Sequence, residues 1–372
     1  EKLEAEGGKY EEIKNATKAG VDIKTDVTND SDTEATGVSV KSTVYNKEGD
    51  VVSTQTDDIT VAAGKTETIS QSVDVANPKL WSVDSPNLYW VRTEIIQNGK
   101  VVDRTDSRFG IRYIATNPNS GFYLNGVHTK LNGVCEHSDL GSLGMETYQA
   151  AVDRRIRTLK KYGVNAIRTS HNPVSPEFIE ACDRLGMLVF EEAFDQWLYS
   201  KNSDDYHNYF NKAADGKTVV FDKAGNDNTN NDTSYIEVKR EDLQSNAERD
   251  IKAMVDRDKN APCIFAWSTG NEIYDARYKH GENTLDMLTG WIKEIDTTRP
   301  VAACPPTWDN YWANNAQQEK HLAKAEMSGF NYATEQYDGA HSRYPNMVIF
   351  GSETVSAYYY RGVYFLEGEG SG

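Results

Sequence analysis

Two glutamates stand at the ends of short apolar segments in the second half of the chain. Glu272 follows the segment Cys263–Trp267, and Glu353 follows Met347–Phe350. In a barrel of parallel strands, side chains at the carboxyl ends of the strands meet at one mouth, so these carboxyl groups can converge from opposite walls. The sequence shows neither a nucleotide-binding loop nor a metal-ligand triad beside them. Two converging carboxyl groups without such a loop or triad are the catalytic groups typical of glycoside hydrolysis.

The two carboxyl groups need different protonation states for this chemistry. One must be protonated to donate to the leaving oxygen, and the other must be ionised to attack the anomeric carbon. A separation of about 5–5.5 Å predicts retention of configuration, and about 6.5–9.5 Å predicts inversion. Asn271 precedes Glu272, so its amide can reach a ring hydroxyl beside the reacting carbon. We expect Arg168 to keep Glu353 ionised and Tyr332 to hold its orientation by a hydrogen bond.

The elements that must position these residues begin after residue 118, where apolar strand patterns alternate with amphipathic helix patterns. This alternation predicts a parallel sheet, and the number of units predicts a (β/α)8 TIM barrel. Seven strands can be counted, and the barrel is expected to be incomplete near strand eight. The predicted strands are His128–Val134, Val164–Arg168, Met187–Glu191, Cys263–Trp267, Val301–Cys304, Met327–Phe330 and Met347–Phe350.

The first third of the chain has a different pattern. Short runs that alternate apolar and polar residues, such as Gly37–Tyr45, are separated by turn residues such as Asn98-Gly99. Period-two alternation with frequent turns predicts an antiparallel, immunoglobulin-like β-sandwich of about seven strands. We therefore expect two domains, a β-sandwich over residues 1–115 and a TIM-barrel catalytic domain over residues 116–372.

Composition excludes several classes of partner. The 372 residues carry 40 Lys and Arg against 57 Asp and Glu, a formal net charge of −17. Nucleic acids and anionic membrane surfaces require a basic face, so neither is an expected partner. The hydrophobic content of 38% is sufficient for packed cores.

Two features near the predicted mouth have alternative interpretations. The segment Ser203–Ser234 is rich in Asn, Asp and Gly and follows the third predicted strand. We interpret it first as a surface insertion, with a role at the substrate rim as the alternative. Trp197 and Trp308 are interpreted either as platforms that stack on sugar rings or as packing residues.

Several motifs together resemble glycoside hydrolase family 2. Asn165–Pro173, with Asp183 and Gly186–Phe190, resembles the first signature of that family, and Ile264–Glu272 resembles the second. Phe350–Thr354 resembles the nucleophile strand. The resemblance extends to the family's sandwich domain and to the segment that connects it to the barrel, at Leu80-Trp81, Asn87–Tyr89 and Phe109–Arg112. The chain departs from the family pattern at Asn172, where Tyr is frequent, and at Ala261, neither of which is a catalytic position.

The resemblance implies a role for each polar residue at the barrel mouth. Glu272 is implied to be the general acid/base and Glu353 the nucleophile. The residues implied to bind substrate are His137, Asp139, Arg168, His171, Asn271 and Tyr332. Structural alternatives remain open: His137 as a cap of its strand loop, and Arg168 as the partner of Glu191 or Glu192 in an ion pair. Glu191 and Glu192 are interpreted as residues that orient their neighbours.

The function implied by the resemblance is that of a retaining exo-β-glycosidase acting on terminal β-D-galactosides by double displacement. β-Glucuronidase and β-mannosidase of the same family are the alternatives, and a non-catalytic carbohydrate-binding fragment is the alternative of another class. The expected partner is a small carbohydrate with a terminal β-linked sugar, with no cofactor and no metal. Complete family members are longer, so we expect the 372-residue chain to turn over substrate poorly and to self-associate through its open barrel edge.

Overall fold

The computed structural model describes residues 4–5, 9–198, 210, 245–306 and 316–355. Its N-terminal part confirms the predicted sandwich. Strands β3 and β6 form one antiparallel sheet, and the other has the order β5-β4-β7-β8. The strands are β1 (Glu4–Ala5), β2 (Lys9–Tyr10), β3 (Lys18–Thr28), β4 (Ala35–Tyr45), β5 (Val51–Val61), β6 (Thr66–Ala76), β7 (Tyr89–Gln97) and β8 (Lys100–Phe109).

The sandwich core is made by the inward-facing residues of alternating strands. Val44, Val73 and Val91 are buried together between the two sheets. Among the described residues these two sheets hold six strands, one fewer than predicted. Strand β8 ends its sheet, because it pairs only with β7. Its side chains from Lys100 to Ser107 are exposed, as is usual for a strand that ends a sheet.

A hairpin between the two domains changes the predicted start of the barrel. Strands β9 (Ile114–Asn117), β10 (Gly121–Leu124) and β11 (Val127–His128) form a small antiparallel sheet. Asn125 and Gly126 connect β10 to β11 with φ values of 53° and 79°, the conformation that favours Asn-Gly in a two-residue hairpin turn. The prediction of a barrel strand over His128–Val134 was therefore wrong.

The remaining strands form a parallel sheet in which each strand pairs with its neighbours in sequence. This order and curl confirm a TIM-barrel sheet that is open in the described residues, with β12 and β18 as its edges. The barrel strands are β12 (Gly133–His137), β13 (Ala166–Ser170), β14 (Leu188–Glu192), β15 (Ile264–Asn271), β16 (Val301–Cys304), β17 (Met327–Asn331) and β18 (Ile349–Glu353).

Helices alternate with these strands as predicted. Helix α2 begins after Ser175, whose side chain accepts a hydrogen bond from the backbone N–H of Phe178 at 3.3 Å, with Pro176 at the first helical position. The helices are α1 (Gln149–Lys161), α2 (Pro176–Leu185), α3 (Asn246–Asp258), α4 (Lys279–Ile295), α5 (Ala316–Lys324) and α6 (Tyr337–Arg343), with 3-10 turns at Gly141–Leu143, Tyr274–Arg277 and Thr334–Gln336.

Buried polar contacts join the sandwich to the barrel. Trp81 donates from its indole nitrogen to the carbonyl of Asp183 at 2.8 Å. Arg108 donates to the Asp183 carboxylate at 3.0 and 2.8 Å. Gly186, at φ 75°, ends helix α2 where a Cβ atom would lie 2.2 Å from the carbonyl oxygen of Val83. The two domains therefore meet at the amino-terminal side of β14, away from the barrel mouth.

Some predictions fall outside the described residues. These are the surface insertion Ser203–Ser234 and the interpretation of Trp308. The boundary at residue 115 stays a prediction, and it lies within β9. Among the described helices, none is long and apolar enough to cross a membrane.

Candidate active site

The carboxyl ends of four barrel strands bring polar side chains together at one mouth. Arg168 lies on β13, Asn271 at the end of β15, and Glu353 at the end of β18, while Tyr332 follows β17. Arg168, Tyr332 and Glu353 border a cavity of about 710 Å³ between β12 and β18. Its polar lining includes His137, Arg168, Ser170, His171, Tyr332 and Glu353.

Glu353 is held by two donors from opposite directions. Arg168 donates from Nη1 to Oε1 of Glu353 at 2.6 Å. Tyr332 donates from its hydroxyl to Oε2 at 2.6 Å. The side chains of Arg168 and Glu353 are 5% and 13% exposed, so their bond forms with little competition from water, whereas the bond from Tyr332 lies at the exposed rim. The carboxylate is therefore fixed in orientation while one face stays open to the cavity.

These contacts favour the ionised form of Glu353. Burial acts to raise the pKa of Glu353, but the Tyr332 hydrogen bond and the charge and hydrogen bond of Arg168 outweigh it, so the pKa lies below its ordinary value. The same hydrogen bond raises the pKa of Tyr332 to about 12. Tyr332 therefore stays a neutral donor at neutral pH, and Glu353 stays a carboxylate.

His171 and His137 lie on the same side of Glu353. Nε2 of His171 is 3.7 Å from Oε1 of Glu353. Nδ1 of His171 lies 2.7 Å from Oε1 of Glu192, a fully buried carboxylate. The rings of His137 and His171 meet edge to face, with centroids 5.3 Å apart. His137 thus contacts His171 and also lines the cavity itself.

Glu272 lies next to a chain of amides on the other side of the mouth. Nδ2 of Asn331 contacts Oε1 of Glu272 at 3.4 Å and Oδ1 of Asn271 at 3.3 Å. Oδ1 of Asn271 also accepts from Arg168 at 2.9 Å, and its Nδ2 donates to Asp195 at 3.0 Å. Because Asn271 is oriented from both ends, its remaining N–H has a defined direction.

Two residues of the mouth have positive φ values, a backbone conformation that is energetically unfavourable for residues with a Cβ atom. Glu272 has φ 43° and Tyr332 has φ 53°. Such conformations cost of order 1–3 kcal/mol and cluster at functional sites. Each residue directly follows a barrel strand, so the turn points its side chain away from the strand and toward the mouth.

Two predicted side chains lie apart from this network. The carboxylate of Asp139 accepts from the backbone N–H of Gly141 in its own loop. Asp139 lines a small cavity beside the strand-one loop, and its role in binding stays a prediction. Trp197 is fully buried and donates to the carbonyl of Thr269 at 2.8 Å. The interpretation of Trp197 as a packing residue is therefore the one that fits.

The sequence analysis interpreted Glu192 as a residue that orients its neighbours, and it placed neither Glu192 nor Asn331 among the catalytic and substrate-binding residues. Glu192 ends β14 and contacts both Arg168 and His171. Asn331 ends β17 and contacts both Asn271 and Glu272. Both end a barrel strand, which is a signal that could have selected them. Within the described residues, no group of three or more His, Cys, Asp and Glu side chains could hold a metal ion.

Two family models match most of the chain. The model described as "Glycosyl hydrolases family 2, TIM barrel domain" matches residues 116–337. The model described as "Glycosyl hydrolases family 2" matches residues 9–112. The two matches follow the division between the sandwich and the barrel.

Individual relatives agree with these matches. A β-galactosidase of Bacteroides ovatus, BoGH2A, is 31% identical over 93% of this chain. A crystal structure of a glycosyl hydrolase family 2 member from Bacteroides cellulosilyticus superposes with a TM-score of 0.75, at 32% identity over 91% of the chain. A β-glucuronidase from Bacteroides uniformis superposes with a TM-score of 0.69 over 90% of the chain, at 23% identity, which is similarity of fold alone.

The relatives are much longer than this chain. The chain spans 40% of the Bacteroides ovatus protein. It spans 38% of each of the two crystallised proteins.

Proposed function

The chain belongs to glycosyl hydrolase family 2, and from this premise we propose that it carries the catalytic centre of a retaining exo-β-glycosidase. Glu353 is the proposed nucleophile and Glu272 the proposed general acid/base. The single observation that carries the proposal is the fixation of Glu353 by Arg168 and Tyr332, at 2.6 Å each. A nucleophilic carboxylate must be ionised and oriented before substrate binds, and both requirements are met.

The proposed reaction has two displacements. In the first, a carboxylate oxygen of Glu353 bonds to the anomeric carbon, the bond to the aglycone oxygen breaks, and Glu272 gives its proton to that oxygen. In the second, Glu272 removes a proton from water, the water oxygen bonds to the anomeric carbon, and the Glu353 carboxylate leaves. Arg168, which donates to Oε1 of Glu353 at 2.6 Å, stabilises this leaving carboxylate by its positive charge.

The other mouth residues bind and orient the sugar in this proposal. Asn271 offers an amide N–H next to Glu272, where it reaches a hydroxyl beside the reacting carbon. His171, His137 and Tyr332 line the cavity beside Glu353. Asp139 is proposed as a rim residue. Tyr332 is 39% exposed, so it can contact the sugar as well as Glu353.

A β-D-galactoside is the proposed substrate. Support comes from the Bacteroides ovatus β-galactosidase, which is similar over 93% of the chain. The second candidate is a β-glucuronide, supported by the similarity to a putative β-glucuronidase of Formosa agariphila, which is 36% identical over 62% of the chain. β-Mannosides are the third sugar for comparison. A binding function without turnover is the alternative of another class.

A panel of nitrophenyl β-galactoside, β-glucuronide and β-mannoside tests the proposal. The protein should be assayed at its full natural length and as residues 1–372 alone. We expect the galactoside to be hydrolysed fastest, with the β-anomer as the first product by NMR. An α-anomer as first product contradicts the retaining mechanism. Sugar binding without turnover of any glycoside at full natural length would support the binding function instead.

A further inference from the structure

Glu192 ends β14 and, within the part of the chain that the structure describes, forms no hydrogen bond or ion pair with Glu272 or Glu353. Its side chain is fully buried, yet each carboxylate oxygen has a partner. Oε2 accepts from Nη2 of Arg168 at 2.9 Å, from Nε of Arg168 at 3.3 Å and from the hydroxyl of Ser268 at 2.7 Å. Oε1 faces Nδ1 of His171 at 2.7 Å. A buried carboxylate with this many donors is held in one orientation.

The contact with Arg168 sets the direction of the guanidinium group. Nε and Nη2 form one edge of the planar fork, and that edge lies on Glu192. The remaining nitrogen, Nη1, then points at Oε1 of Glu353, 2.6 Å away. Because the guanidinium is rigid and planar, fixing one edge fixes the other. Glu192 therefore decides which nitrogen reaches the proposed nucleophile.

The contact with His171 sets the position of a proton. Glu192 forms an ion pair with Arg168, so it is a carboxylate and has no proton to donate. The 2.7 Å contact therefore requires the hydrogen on Nδ1 of His171. In the neutral ring, Nε2 then carries the lone pair, and it faces the cavity 3.7 Å from Glu353. A nitrogen in this state accepts a hydrogen bond from a sugar hydroxyl.

We propose that Glu192 is the positioning residue of this site, where one buried carboxylate both aims Arg168 at Glu353 and holds His171 in the tautomer that accepts from substrate. The proposal rests on the proposed function for its catalytic consequence. Its structural part, the tautomer of His171, can be measured without any turnover. The two parts can therefore fail separately.

The chain offers a matched control in the adjacent residue. Glu191 is also fully buried but faces the opposite side of β14, where it pairs with Arg257 at 3.3 Å. Burial and the neighbouring Asp258 raise the pKa of Glu191 well above its ordinary value. Glutamine is therefore a close neutral substitute for Glu191. Glu191→Gln tests the loss of a buried carboxyl group from the same strand without touching Arg168 or His171.

The first measurement is the ¹⁵N NMR spectrum of the histidine rings at a pH where His171 is neutral, with His171→Gln used for assignment. We expect the proton on Nδ1 in the unmodified chain. In Glu192→Gln the amide oxygen must serve the donors of Arg168 and Ser268, so the amide N–H₂ faces His171 and the proton moves to Nε2. Glu191→Gln and Glu192→Asp are expected to keep the proton on Nδ1.

The second measurement is kinetic, on a nitrophenyl β-glycoside with the protein at its full natural length. Glu192→Gln is expected to lower kcat by roughly 10²-fold with KM changed less than about threefold, since the interaction lost acts in the transition state. Glu192→Asp should recover part of this loss because it restores the charge and the tautomer. Glu191→Gln should stay within about twofold of the unmodified protein.

Three outcomes would overturn the proposal. A proton on Nε2 of neutral His171 in the unmodified chain refutes it even if Glu192→Gln does not fold. A Glu192→Gln protein that keeps the Nδ1 proton, or that keeps its kcat, also refutes it. If the tautomer changes as expected while the unmodified protein turns over no glycoside, the positioning role stands and the proposed function fails.

Discussion

Arg168 and Glu353 form a 2.6 Å ion pair although four strands separate β13 from β18 in the order of the sheet. In a flat sheet these strands would lie roughly 24 Å apart, since neighbouring strands are spaced by about 4.8 Å. The contact therefore exists only because the sheet curls into an open barrel. It joins the proposed nucleophile to the residue that keeps it ionised.

Replacement of Glu353 by Gln should remove turnover and leave the fold intact. We expect kcat to fall roughly 10⁴-fold or more, because an amide cannot form the glycosyl ester. A 2-fluoro sugar with a good leaving group should label the unmodified protein at Glu353, which peptide mass spectrometry can identify. Glu294→Gln, on the exposed side of α4, is the control and should label normally. A label on any other carboxylate contradicts the assignment.

Replacement of Glu272 by Ala should depend on the leaving group. A general acid contributes typically 10²–10⁴-fold, so substrates with poor leaving groups should lose about that much in kcat/KM. Activated nitrophenyl substrates need less protonation and should lose far less in the first step. Added azide should restore turnover and give the β-glycosyl azide. Equal losses on both kinds of substrate would mean that Glu272 is not the acid.

Replacement of Tyr332 by Phe should move the acid limb of kcat/KM to higher pH. The Tyr332 hydrogen bond lowers the pKa of Glu353, so its removal lets that pKa rise. Because the nucleophile must be ionised, activity is lost as the pH falls through the pKa of Glu353, and in Tyr332→Phe this loss should begin at a higher pH.

Tyr344→Phe is the matched control for this pH profile. Tyr344 donates to Glu319 at 3.3 Å on the outer side of the barrel, so its loss removes a Tyr–Glu hydrogen bond away from the mouth. Its profile should follow that of the unmodified protein. An acid limb in Tyr332→Phe that is unchanged or moves to lower pH would show that Glu353 does not govern it.

Replacement of Asp183 by Ala should destabilise the junction of the two domains. Arg108 and the backbone N–H of Cys263 would lose their acceptor, and breaking a buried pair typically costs about 3–5 kcal/mol. Urea unfolding should report this loss of free energy. Asp153→Ala removes a more exposed pair with Arg184 and should cost about 1 kcal/mol or less. Similar losses in both variants would mean that the junction is not the stabilising feature.

Local patterns in the sequence were enough to predict most of the secondary-structure elements. Period-two alternation identified the sandwich, although it predicted about seven strands where the two described sheets hold six. Alternation depends on neighbouring residues alone, as does the capping of α2 by Ser175 with Pro176 after it. The polar residues that end the strands were also readable, and with them Glu272 and Glu353. One barrel strand, His128–Val134, was predicted in the wrong place because His128 belongs to the hairpin that turns at Asn125-Gly126. That two-residue turn signal was present in the sequence.

Only the tertiary structure decided which strand-end residues meet. Glu192 and Glu191 are adjacent and both buried, yet one contacts Arg168 and His171 while the other faces Arg257. Asp139 was expected at the site, but its carboxylate bonds to its own loop. The sequence by itself cannot make these distinctions, because they depend on the curl of the sheet and on distances between residues far apart in the chain. The sequence by itself was enough to identify the family, the secondary-structure elements and the two candidate glutamates, Glu272 and Glu353. The curl of the sheet decided which neighbouring side chains orient these glutamates.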